Sequence, residues 1–161
     1  MKKAILLFAF AALSLQNINA TKRIYTKTDS IRAEKIMKQA SSQPAGTNTI
    51  VYIGRQLLGV PYVAQTLEKG KTEHLVINTM QLDCTTFVEN VLAMYLCVQN
   101  KTTRFADFCS NIQKIRYAGG KVSYPSRLHY FSTWIEDNTK KGIVQEQQAP
   151  NPPFTAKQTI M

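Results

Sequence analysis

The amino-acid sequence predicts an α+β domain dominated by helices, and three features predict it. From Phe87 to Val98 only Glu89 and Asn90 are polar, so this run is hydrophobic nearly all round and reads as a buried central helix. Two further stretches, Ile31 to Ala40 and Arg104 to Ile115, place apolar residues at helical spacing. Leu75-Val76-Ile77 is a short strand leading toward the central helix. The 161 residues suit one domain, and no internal repeat is visible.

The chain opens Met1-Lys2-Lys3, then an apolar segment from Ala4 to Leu15, then Gln16 to Ala20. This is the pattern of a secretory signal peptide over residues 1–20, cut after Ala20. The apolar segment is shorter than the roughly 20 residues needed to span a bilayer, so no stable membrane anchor is expected. Export places the mature protein in the periplasm or outside the cell. The full chain carries a formal +10; loss of Lys2 and Lys3 leaves 18 Lys+Arg against 10 Asp+Glu, a formal +8. A basic surface outside the cell suits anionic polymers such as cell-wall glycan. No Arg/Lys helix with interleaved aromatics is present, which argues against nucleic acid as a partner.

In chain order, Thr28-Asp29-Ser30 are capping-type residues before a helix carrying Ile31, Ile36, Met37 and Ala40. Pro44 and Gly46 mark a loop. Asn48 or Thr49 caps a second helix through Leu58, with Val51, Leu57 and Leu58 inward and Gly59 as its stop. Gly59 and Pro61 then present Tyr62 from a turn. Tyr62 is either a core aromatic or a neighbour of the site that follows. His74 opens the short strand as a surface residue.

Cys84 begins the central helix. Asp83, Thr85 or Thr86 can serve as the N-cap, which puts Cys84 at the positive end of the helix dipole, where a thiolate is favoured. Local features leave two readings open, a nucleophile or a small buried apolar cysteine. Cys97 and Cys109 read as core residues or a pair with each other. Three cysteines without paired spacing make no disulfide framework. With no Cys-x-x-Cys and no close His pair, no metal or other cofactor is expected.

Downstream, Phe105, Phe108, Cys109, Ile112 and Ile115 form a core stripe that ends at Arg116-Tyr117-Ala118-Gly119-Gly120. Pro125 and Ser126 are expected to start a helix bearing Arg127, His129, Tyr130 and Trp134 and running to about Asn138. Its Arg, His and aromatics suit the wall of a binding groove, or, for Tyr130 and Trp134, plain core packing. His is also the usual partner of a cysteine nucleophile. Residues 145–161 are Gln- and Pro-rich and make neither a helix nor a central strand.

Leu58-Gly59-Val60-Pro61-Tyr62 followed by Asp83-Cys84-Thr85-Thr86-Phe87 resembles the NlpC-type branch of the papain-like cysteine peptidases. There a Gly-x-Pro-Tyr turn precedes an Asp-Cys-Ser/Thr helix start. Four pieces are similar to the bacterial N-acetylmuramoyl-L-alanine amidase-like subfamily. They are Pro61 to Glu68, Leu82 to Val91, Arg116-Tyr117-x-Gly119-Gly120, and Ser126 to Phe131 with Trp134-Ile135. The resemblance spans roughly residues 50–144.

The resemblance implies a cysteine amidase acting on peptidoglycan or muropeptides, at the amide between the lactyl group of N-acetylmuramic acid and L-Ala. It implies Cys84 as nucleophile and Tyr62 as an active-site neighbour; Asp83, Thr85, Arg127, His129 and Tyr130 are further candidates for substrate-binding residues or active-site neighbours, and a monomer is expected. It also implies a papain-like order in which helices precede a small β-barrel. The family's catalytic His lies on a barrel strand in a His-Val-Gly-Ile-like segment, which this chain lacks. The expectation is thus a partial domain over residues 21–144, mainly the helical half, with the barrel largely missing and activity impaired. His129 falls in the Arg-Leu-His-Tyr motif and is assigned to the groove rather than to the base. Two rival functions are a non-catalytic peptidoglycan-binding module and an endopeptidase that cuts within the stem peptide.

Overall fold

The computed structural model describes residues 22–145 and 147. The expected signal segment and nearly all of the Pro/Gln-rich tail lie outside the described residues. Within them, the fold is α+β and mostly helical: β1 (Arg23–Ile24), α1 (Lys27–Ser41), α2 (Thr49–Gln56), β2 (Leu75–Val76), α3 (Cys84–Gln99), α4 (Phe105–Arg116) and α5 (Phe131–Lys140). β1 and β2 pair in parallel, Arg23 against Leu75 and Ile24 against Val76.

The helix α3 is the hub, packed by α1, α2 and α4. Its buried side chains Val91, Ala93, Met94 and Cys97 meet Ala33, Ile36 and Met37 of α1, Ile53 of α2, and Phe108, Ile112 and Ile115 of α4 in one core. Burial of such side chains is the main favourable term in folding, about 1.5–3 kcal/mol for each large one. The central run is nonetheless not covered all round. Val88, Leu92 and Tyr95 follow Cys84 at helical spacing and stay half-buried, a stripe left open along one side of α3.

Each helix start is fixed by local chemistry. For α1 the cap is Thr26, not the expected Thr28-Asp29-Ser30 group. Thr26 Oγ1 accepts the Asp29 N–H at 3.2 Å, and Asp29 Oδ2 accepts the Thr26 N–H at 2.8 Å, a reciprocal capping box. Ile31, expected inward, is 56% exposed: at about 100° per residue it stands opposite Ala40, off the buried stripe of Ala33, Ile36, Met37 and Ala40. Asn48 caps α2 through the Val51 N–H. Val51 and Leu58, expected inward, are exposed, whereas Ile53 and Leu57 are buried. The reason is phase: α2 is only two turns long, and Leu58 lies past its end in the turn before Gly59, whose φ is +78°.

The helix expected from Ser126 begins later, at Phe131. Tyr124–Ser126 is a 3-10 turn, and Arg127 is extended, bridging antiparallel to Tyr117. Leu128 N–H donates to the Arg116 carbonyl at 3.0 Å. This return is made possible by Gly119 and Gly120, both with positive φ, which turn the chain sharply after α4. A main-chain pairing thus displaces the first turn of the expected helix, and Arg127, His129 and Tyr130 leave it. Trp134 on α5 is buried and stacks with Phe131 at 5.4 Å.

Candidate active site

Cys84 is the first residue of α3, and the chain around it is held from both sides. Asp83 is the N-cap: Oδ1 accepts the Thr86 N–H and hydroxyl, each at 2.8 Å, while Thr86 Oγ1 accepts the Asp83 N–H at 2.9 Å. Capping by Asp83 leaves the Cys84 and Thr85 N–H groups of the first turn without intrahelical acceptors. One residue earlier, Leu82 N–H donates to the Pro61 carbonyl at 3.1 Å and the Leu82 carbonyl accepts the Val63 N–H at 3.0 Å. This short parallel bridge sets Tyr62 beside the helix start.

The loop before α3 is anchored to α1. Buried Asp29 accepts the Thr79 N–H at 2.7 Å and its hydroxyl at 3.0 Å through Oδ1. Burial acts to raise the Asp29 pKa, but hydrogen bonds from Thr26 and Thr79 outweigh it and hold the carboxyl below its ordinary value. Asn90 adds a clasp, donating to the Thr86 and Asn78 carbonyls at 2.8 and 3.3 Å.

Two hollows flank this start and share Asp83. An apolar groove of about 390 Å³ is lined by Leu57, Val60, Tyr62, Leu82, Cys84, Phe87 and Val88 as well as Asp83. Tyr62 is 72% exposed at its edge, so it is not the core aromatic that one reading allowed. A smaller polar pocket of about 170 Å³ is lined by Thr85, Glu68, Glu89, Arg116, Arg127 and His129 among others. A larger apolar hollow of about 690 Å³ on α5, around Trp134, Ile135 and Val144, shares no residue with either.

Of the candidate residues, Cys84, Tyr62 and Asp83 meet at the groove, and Asp83, Thr85, Arg127 and His129 at the pocket. Tyr130 belongs to neither; it is 75% exposed at the N-cap of α5. Arg127 is tied down rather than open: Nη2 meets Glu68 Oε1 at 2.5 Å and Nη1 lies 3.7 Å from Glu73 Oε1. His129 Nε2 is 2.9 Å from the Tyr124 carbonyl, and its ring packs on Tyr124 at 4.4 Å. Cys84 Sγ lies 4.0 Å from Thr85 Oγ1.

The three cysteines are free thiols, with Cys84 exposed and Cys97 and Cys109 buried. Burial pushes both inner thiols up to about 11. Cys97 and Cys109 are therefore core residues and form no disulfide with each other. No group of three or more His, Cys, Asp or Glu among the described residues is placed to hold a metal ion. No helix among them is long and apolar enough to cross a membrane.

The charged floor of the polar pocket was not foreseen. Glu89 and Arg116, each 2% exposed, form an ion pair: Arg116 Nε and Nη2 both lie 2.8 Å from Glu89 Oε2. Burial acts to lower the Arg116 pKa and the Glu89 carboxylate more than offsets it. The signal was present, since a lone acid inside an otherwise apolar buried run needs a partner. Tyr117 extends the network, donating to Glu73 Oε1 at 2.6 Å.

A mainly helical frame that presents one free thiol at a capped helix start, between an apolar groove and a charged pocket, defines a thiol-bearing site class. The chain belongs to the AmiA-like family, N-acetylmuramoyl-L-alanine amidase-like, whose model matches residues 52–158. No curated protein matches it. Among solved structures, an N-acetylmuramoyl-L-alanine amidase from Bacteroides uniformis is 41% identical at a TM-score of 0.52, over 69% of this chain and 41% of that one. A second structure so named from the same organism is 39% identical at 0.50, over 68% and 40%. A Bacteroides fragilis protein, named as a conjectural xylanase, is 48% identical at 0.52, over 56% and 39%. The chain spans about two fifths of the length of these structures.

Proposed function

We propose that this chain is the cysteine-bearing helical half of an exported, NlpC-type, papain-like amidase. It acts, in the periplasm or outside the cell, on peptidoglycan or muropeptides at the amide between the lactyl group of N-acetylmuramic acid and L-Ala. The observation that carries this reading is the placement of Cys84, an exposed thiol at the first position of an Asp83-capped helix. Membership of the amidase-like family supports the substrate class.

In this mechanism the Cys84 thiolate adds to the lactyl carbonyl carbon, and the carbonyl electron pair moves onto oxygen. The helix N-terminus favours both thiolate and oxyanion, and the Cys84 and Thr85 N–H groups are the donors at hand. The carbon–nitrogen bond then breaks, and L-Ala leaves as an amine after taking a proton from water. Water hydrolyses the remaining thioester, which frees the muramic carboxylate and restores the thiol. Tyr62 and the apolar groove lie on one side of the thiol, and Thr85 and the charged pocket on the other, so substrate crosses the helix start.

The test is the mass of products released from an anhydromuropeptide by the wild-type chain and by Cys84→Ser. Slow release of the intact stem peptide by the wild type, and none by Cys84→Ser, is the expected result. Equal release by both proteins overturns the cysteine mechanism. Cleavage within the stem overturns the amidase assignment in favour of an endopeptidase, and binding without release by either protein favours a wall-binding module.

A further inference from the structure

Glu89 and Arg116 sit almost fully buried in the wall of the polar pocket beside the Cys84 helix start. Arg116 grips Glu89 with two nitrogens and donates its third, Nη1, to the Val76 carbonyl at 2.6 Å. One guanidinium thereby joins α3, the end of α4 and β2. A buried ion pair is a weak source of stability, because well-packed apolar residues of similar volume often serve as well or better. Packing alone does not account for charge at this place. Glu89 follows Cys84 by five residues on one helix, about 7.5 Å along its axis. Glu89 and Arg116 are buried while Cys84 is exposed, so an uncancelled charge of the pair acts on the thiolate with only partial screening by solvent and salt.

We propose that Glu89 and Arg116 form a charge-balanced strut for the Cys84 helix: the pair seats α3 and leaves no net charge of its own to act on the thiol. The inference rests on Cys84 as the reacting group of the proposed amidase, but it is read by alkylation, which does not depend on turnover. The other charged or titratable groups around the thiol are Asp83 and Tyr62 at the groove, and Glu68, Arg127 and His129 across the pocket. Glu73 and Tyr117 stand behind Arg127. All of these are unchanged in the variants below, so the comparison isolates the pair.

The experiment is the pH dependence of iodoacetamide alkylation at Cys84 in the full chain, with the site confirmed by peptide mass and folding followed by thermal melting. Glu89→Gln leaves the Arg116 charge uncancelled, so the apparent thiol pKa falls and the rate at neutral pH rises about threefold or more. Glu89→Gln combined with Arg116→Met removes both charges and returns the profile to that of the wild type. Arg116→Lys keeps the charge and loses the fork geometry, so it lowers the melting temperature without moving the profile. Profile shifts that merely follow lost stability, or an unmoved Glu89→Gln profile, overturn the proposal. Where Glu89→Gln fails to fold, the double variant decides: a profile displaced from the wild type overturns it.

Discussion

Asp29 Oδ1 accepts the Thr79 backbone N–H at 2.7 Å, a bond between residues 50 positions apart that pins the loop entering α3 to the first turn of α1. The same carboxylate closes the α1 capping box through its other oxygen. One buried acid therefore supports both a helix start and the approach to Cys84.

Its pH behaviour follows. The folded pKa of Asp29 lies below the ordinary carboxylate value of 3.8, so its contribution is fully present above that value and is lost as pH falls through the folded pKa. Asp29→Asn is expected to lower stability at pH 7 by about 1–2 kcal/mol. The gap from the wild type should close as the medium is taken below pH 3.8. Urea unfolding across that range measures it, and a gap that stays constant with pH contradicts the assignment.

Thiol labelling separates the three cysteines. Cys84 should react with a maleimide in the native protein, whereas Cys97 and Cys109, buried and with thiols raised to about 11, should react only after unfolding. One label per native chain and three per unfolded chain, located by peptide mass, is the expected count. Fast native labelling of Cys97 would show that the α3–α4 core is open.

Asp83 tests the cap. Asp83→Ala should cost about 1–2 kcal/mol of stability, since the first turn of α3 loses its acceptor. Asp83→Ser keeps a capping oxygen and should recover most of the stability. Equal melting temperatures for the Ala and Ser variants would show that the cap does not support the helix.

Tyr62 tests the groove without disturbing the core. At 72% exposure, Tyr62→Ala should change stability by no more than about 0.5 kcal/mol. Its effect should instead appear as a raised half-saturation concentration for muropeptide protection of Cys84 against alkylation. Unchanged protection would remove Tyr62 from the binding surface.

The periodicity of the core stripes was legible because burial of one helix face imposes it. The α4 stripe of Phe108, Cys109, Ile112 and Ile115 is buried where the spacing placed it, as are Ile36, Met37 and Ala40 of α1. The α3 helix start could be read to within a cap residue, because Asp83, Thr85 and Thr86 are all capping types and only geometry chooses Asp83. The segment from Ser126 to Tyr130 was misread as helix. Its local propensity yields to a pairing with Tyr117 and Arg116 that depends on the Gly119–Gly120 turn.

Sequence alone supplied a thiol at a helix start, the Gly59–Tyr62 turn upstream of it, and the pattern that ties both to the amidase-like family. These are local or short-range signals, written in capping chemistry, turn residues and helical spacing. The folded chain was needed to bring Tyr62 to Leu82, to divide the surroundings of Cys84 into an apolar groove and a charged pocket, and to pair Glu89 with Arg116. The Glu89–Arg116 contact spans 27 residues, and the Arg127–Glu68 contact spans 59. Such partnerships are set by which helix faces meet and which buried charges must be satisfied, and no single window of sequence contains both members. The Cys84 helix keeps its place at the centre of the molecule, with its chemistry framed by residues that only packing brings near.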